Sequence, residues 1–187
     1  MRDGVWAKFN KANMQAANKD DILNQMASKQ SRGEHVDRRL FPAIRDSQSL
    51  YLLRLSDEES FLSLIWQEHD ATRLLTPRGQ PRTLKDVRSR LQNWCGFVQL
   101  ASALGLPSSQ HNPAWFNKCV EIEAAFDYSR FGWIAVAHPT DGERRQSPGG
   151  SFYIFDGVHR TLVLAKRLLS RELDFQPLTA LLILPRP

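Results

Sequence analysis

Cysteine is scarce in this chain: Cys95 and Cys119 are the only two among 187 residues. Two are too few for a disulfide scaffold, and neither sits in a metal-ligand spacing. Long apolar runs are missing as well. No stretch reaches the roughly 18 consecutive apolar residues that span a bilayer, so no membrane partner is expected. Met1 to Asn10 lacks the apolar core of a secretory signal, and a cytoplasmic location is the expectation. There is no internal repeat and no low-complexity tract. His35, His69, His111 and His138 are scattered through separate segments, none paired with another at helical spacing.

Hydrophobic residues make up 42% and charged residues 24%, proportions that belong to a globular chain rather than a disordered one. The length suits one domain with an appendage. A net charge of +5 leans toward anionic partners, nucleic acid among them. The arginines are spread along the chain, however, so charge alone selects no partner.

Residues 1–48 are polar, with apolar positions too thin for a core. Asp20 and Asp21 suit the N-terminal end of a short helix through Ile22, Leu23 and Met26, which Ser31 to Glu34 then breaks. This region is expected to be a loosely packed, partly helical arm that wraps the domain or a protein partner. Residues 49–187 are expected to form a single α+β domain. Ser49 to Leu55 has the apolar density of a buried strand, and Ser56 to Glu59 caps a helix carrying Phe61, Leu62, Leu64, Ile65 and Trp66. Thr76 to Pro81 is a loop. Thr83 caps a longer helix with Leu84, Val87, Leu91, Trp94, Phe97, Val98 and Leu100 on its apolar face and Arg82, Lys85, Arg88 and Arg90 on its basic one. Another helix runs from Pro113 to Phe126. Gly132 to Ala137 and Ser151 to Phe155 form a hairpin across a polar loop, Pro139 to Gly150.

The chemistry concentrates after that hairpin, at Asp156-Gly157-Val158-His159-Arg160-Thr161. Leu162, Ala165, Leu168 and Leu169 share one helical face beyond it, while Lys166, Arg167 and Arg171 can point to water. Thr179 to Leu184 is a closing strand. Gly157 permits a tight turn that a β-carbon would oppose. The first amides of a helix have no intrahelical partners, and the helix dipole adds partial positive charge there, which makes an anion site. His159 and Arg160 add side-chain donors, Arg160 as a planar fork matched to phosphate oxygens, and Thr161 adds a hydroxyl. A plainer reading stands beside this one: Asp156 caps the helix, His159 is a surface histidine and Arg160 pairs with Asp156.

Strand, Asp156-Gly157-Val158-His159-Arg160, apolar helix and strand together resemble the signature of the ParB/sulfiredoxin-like superfamily, over roughly the last 40 to 55 residues. The resemblance implies a small mixed sheet with that superfamily's core, preceded here by a mainly helical N-terminal region. It also implies that Gly157, Val158, His159, Arg160 and Thr161 grip the phosphates of ATP or another nucleotide. Two departures narrow it. Sulfiredoxin has a cysteine where this chain has Val158, which speaks against that reductase activity. The partition proteins continue into a helix-turn-helix domain, for which no room follows the turn here. Gly142-Glu143-Arg144-Arg145 resembles the partition-protein turn, but Pro148, Gly149 and Gly150 follow where an apolar helix should.

Phosphoryl transfer or nucleotide hydrolysis is the chemistry such a site suits, because it depends mainly on positioning and charge. Asp156 would bind Mg2+ or act as a base, His159 would serve as acid–base, and Arg160 would stabilise developing negative charge. Glu121, Glu123 and Asp127 are candidates for a second metal carboxylate, with solvated helix charges as the ordinary alternative. Two other functions stay open. One is a nucleic-acid-binding or nuclease-like effector using Lys85, Arg88, Arg90, Arg144 and Arg145. The other is a non-catalytic interaction protein acting through the arm.

Overall fold

The computed structural model describes residues 13–33, 36, 38–66, 81–87 and 113–185. Within them run the strands β1 (Met14–Ala16), β2 (Ser47–Leu55), β3 (Ile134–Ala137), β4 (Tyr153–Asp156) and β5 (Leu178–Pro185). The α-helices are α1 (Lys19–Ser31), α2 (Leu40–Asp46), α3 (Glu58–Leu62), α4 (Pro113–Ala124), α5 (Asp141–Gln146) and α6 (Val158–Leu169). The architecture is α+β, as expected. One mixed sheet has the order β1-β2-β5-β3-β4, antiparallel throughout except where β3 runs parallel to β5. No helix among the described residues is long and apolar enough to cross a membrane.

Helices on both faces explain why the central strands are apolar at consecutive positions. Successive side chains of a strand point to opposite faces. Leu53 and Leu55 of β2, Ile134 and Val136 of β3, and Ala180 and Leu182 of β5 join the larger core with Leu162, Val163 and Leu168 of α6 and Cys119 of α4. Leu50, Ala135, Leu181 and Ile183 face the other way and pack on Ile22, Met26, Leu40 and Ile44. That second layer belongs to α1 and α2. The described part of the arm expected over residues 1–48 is therefore not loosely packed: β1 pairs with β2, and both helices bury apolar side chains. Only a few large apolar residues were needed, because each helix covers the sheet with a narrow stripe. Asn18 caps α1, accepting from the Asp20 amide at 2.9 Å, and Asp20 and Asp21 occupy the first turn as their charge favours.

Three segments differ from expectation. Asp57 caps α3 through the Ser60 amide at 2.7 Å, but the helix ends at Leu62 and not at Trp66. Ile65 is extended instead, receiving the Ile154 amide and donating its own to Phe152 O, both at 2.7 Å. A fully buried apolar run meets the same burial as helix or strand, so periodicity could not separate the two. Within the described residues Thr83 is followed by a 3-10 turn and not by an α-helix. Its amide donates to Asp86 Oδ2 at 3.1 Å over a 3-10 turn, Leu84–Val87, and the expected continuation through residues 88–104 lies outside the described residues, as does the loop at 76–80. Finally, Pro139 to Gly150 is not all loop. Thr140 and Glu143 form a reciprocal capping box that starts α5, and Ser147 to Gly150 ends it after six residues.

Candidate functional site

β4 carries the chain to one end of the sheet at Asp156, opposite Ala135 of β3. The backbone must then turn sharply into α6. Gly157 makes that turn with φ +92° and ψ 17°, in the left-handed region that costs an L side chain about 1–2 kcal/mol. A β-carbon there would also meet Ile134 Cγ2 at 2.8 Å and Arg160 Nη2 at 3.2 Å. Both the torsion and the space demand glycine.

No side chain caps α6. Its internal ladder opens with the Thr161 amide donating to Gly157 O at 2.9 Å. The amides of the first turn precede that ladder and project from its positive end. The Thr161 side chain does not join them. It is fully buried, and its hydroxyl donates back to Val158 O at 2.9 Å. Val158 packs partly buried against the larger core, and His159 is half-buried at the second helical position.

Arg160 turns back beneath the turn. Its Nη1 donates to Phe131 O, its Nη2 reaches Trp133 O at 3.5 Å, and its guanidinium carbon stands 5.8 Å from the Phe131 ring centroid. Asp156 Oδ2 lies 3.9 Å from Nη2, so the pairing of the plainer reading is present at long range. Burial pulls the guanidinium below its ordinary pKa range, and Asp156 beside it acts in the opposite direction. One side chain therefore ties the start of α6 to the segment entering β3. Gly132 in that segment has φ +67°, and a β-carbon on it would come within 3.3 Å of Arg160 Nη1. Sequence reasoning missed Phe131, Gly132 and Trp133 as partners. The one available signal was a glycine between two aromatic residues just before a strand.

The six residues from Asp156 to Thr161 thus gather in one turn, whereas the more distant candidates do not join them. His138 follows the other end of β3, with its ring 6.1 Å from that of Phe152. Arg144 and Arg145 also lie beyond that end, in α5. Glu121 pairs with Lys118 at 3.1 Å, and Asp127 accepts the Ser129 amide at 2.8 Å. Arg88, Arg90, His35, His69, His111 and Cys95 fall outside the described residues. Among the described residues, no three His, Cys, Asp or Glu side chains converge to hold a metal. Cys119 is buried, and burial with Glu123 nearby pushes its thiol up to about 12, which makes it an inert core residue.

No family model, curated protein or solved structure matches the chain. What bears on function is therefore the turn itself and the helix behind it.

Glu123, one of the three candidate metal carboxylates, is engaged with a cation of another helix. It forms an ion pair with Lys166 that joins α4 to α6, with the lysine side chain 12% exposed and the glutamate 26%. Glu123→Gln is expected to lower stability by about 1–2 kcal/mol, as loss of one member of a partly buried pair does. Urea unfolding checks this, and a midpoint that moves by the same amount in 0.1 M and 0.5 M salt would confirm that the pair is shielded from screening.

Proposed function

We propose that the turn at 156–161 binds the phosphates of a nucleotide, and that the protein is a nucleotide-binding enzyme that transfers or hydrolyses a phosphoryl group. The observation that carries this reading is the opening of a twelve-residue helix on a left-handed glycine with no side-chain cap. Ser, Thr, Asp or Asn at a helix start would satisfy a first-turn amide with its side chain, whereas glycine, also common there, leaves those amides open. Here Asp156 stands one residue too early and leans toward Arg160. The backbone then remains the natural seat for an oxyanion.

Roles within the turn follow from this arrangement. The first-turn amides receive the phosphate oxygens, and His159 adds a donor or moves a proton. Arg160 acts as a positioning residue, holding the turn at its angle while its charge lies beneath the ligand. Asp156 is one carboxylate, enough to share a Mg2+ carried chiefly by nucleotide phosphates and water, which is the usual binding mode of that ion. Such a metal would offset charge on the transferred group. The ParB/sulfiredoxin-like resemblance belongs to the same reading, through Gly157, His159 and Arg160.

Calorimetry with ATP, ADP, CTP and inorganic tripolyphosphate, each with and without Mg2+, tests it. His159→Asp is the informative variant. A carboxylate in the first turn stabilises a helix by about 0.3–1 kcal/mol, yet it competes for the amides a phosphate would use. Affinity is expected to fall at least tenfold while thermal stability holds or rises. Unchanged nucleotide affinity in this variant, or no binding by the parent protein, would remove the proposal.

A further inference from the structure

Phe131 and Trp133, whose carbonyls Arg160 contacts, help line a cavity of about 360 Å³, toward the small end of the range of about 300–1,000 Å³ typical of ligand sites. Tyr128, Phe131, Trp133 and Leu52 are among the residues lining it, Phe131 being only 4% exposed and packed in the larger core. Gln25 of α1 and Thr179 of β5 bring polar groups to the same space. Each can both donate and accept a hydrogen bond. Lys29, one helical turn beyond Gln25, holds its ammonium 5.0 Å from the centroid of the Trp133 ring. The cavity thus combines aromatic and aliphatic lining residues, two ambivalent polar groups and a cation beside one of its rings.

We infer that this cavity holds a planar nitrogen heteroaromatic ring, the base of the nucleotide whose phosphates the turn receives. The inference rests on the nucleotide reading for its phosphate end and goes beyond it for the ring. Three observations agree. The partly exposed Tyr128 and Trp133 of its lining offer stacking, which every nucleobase can use. The amide and hydroxyl suit a ring edge that alternates donors and acceptors. Phe131 and Trp133, moreover, are the two residues whose carbonyls Arg160 grips, so the cavity wall and the phosphate turn are held by one guanidinium. Lys29 adds positive charge on the same side, where an anionic ligand benefits from it.

The test uses the full chain and three probes: adenosine with its guanosine, cytidine and uridine counterparts, inorganic tripolyphosphate, and ATP. Gln25 is exposed, so Gln25→Trp fills the cavity from outside without disturbing the core. Thr179→Trp, also exposed, fills it from β5 and serves if the first variant folds poorly. At least one nucleoside is expected to bind the parent protein, and either tryptophan variant to lower that affinity tenfold or more while leaving tripolyphosphate affinity unchanged. Failure of all four nucleosides to bind, or equal binding by parent and variants, overturns the inference. If a nucleoside binds and tripolyphosphate does not, the cavity stands and the phosphate reading falls. The reverse result leaves the turn and removes the cavity.

Discussion

Arg160→Ala is expected to unfold at a markedly lower denaturant concentration, with a loss of about 3 kcal/mol. The guanidinium donates to two backbone carbonyls, Phe131 O and Trp133 O, from a partly buried position. Hydrogen bonds from a charged donor contribute about 1.5–3 kcal/mol each, and the second one here is long and sits at the weak end. Removing the donor also leaves Asp156 without its neighbouring cation. Arg160→Lys should recover less than half of the loss, because a single ammonium cannot fork between two carbonyls as a planar guanidinium does. For a chain of this size a 3 kcal/mol change lowers the melting temperature by roughly 6–12 °C. A drop of under 2 °C in the alanine variant would mean that the clamp on the segment entering β3 carries no weight.

Gly157→Ala should be as damaging, for a different reason. The left-handed torsion costs an alanine about 1–2 kcal/mol. Its β-carbon would in addition press on Ile134 Cγ2 at 2.8 Å, and overpacking in a core costs about 1–3 kcal/mol. Together these give a loss of about 2–5 kcal/mol. Gly149 supplies the control. Its φ is +83°, but a β-carbon there meets nothing within 4 Å, so Gly149→Ala should lose only the torsional cost of about 1–2 kcal/mol. Urea midpoints of the two variants separate strain from crowding. Equal losses would show that the approach of Ile134 is relieved by a small shift of the strand.

Both predictions fall on a turn that was visible in the sequence, while their mechanisms were not. A glycine between an apolar strand and an amphipathic helix identifies itself by local chemistry. The β3–β4 hairpin and the closing strand were equally legible, since each is bounded by glycine, proline or polar residues. The destination of the Arg160 side chain was hidden, because its acceptors are backbone oxygens almost thirty residues away and backbone oxygens carry no sequence signature. Similarly, Glu123 could be seen as a charge on a helix but not as the partner of Lys166. The layer built by α1 and α2 was missed because four buried residues, Ile22, Met26, Leu40 and Ile44, look sparse until a sheet is placed against them. Ile65 and Trp66 were misassigned for the opposite reason: a run with no polar interruption has no period to read.

The position of β5 in the sheet has a consequence for how the protein comes into being. Residues 178–185 form the central strand, flanked by β2 on one side and β3 on the other. During synthesis, residues 47–55 therefore emerge from the ribosome long before their inner neighbour exists. β2 can pair with β1 on its outer side, but its inner edge must wait for its partner while the intervening chain is made. Closing such distant pairings is slow compared with forming local contacts, and the waiting strand is exposed to association with other chains. The sheet is completed from its middle, by the last of its described strands to be translated.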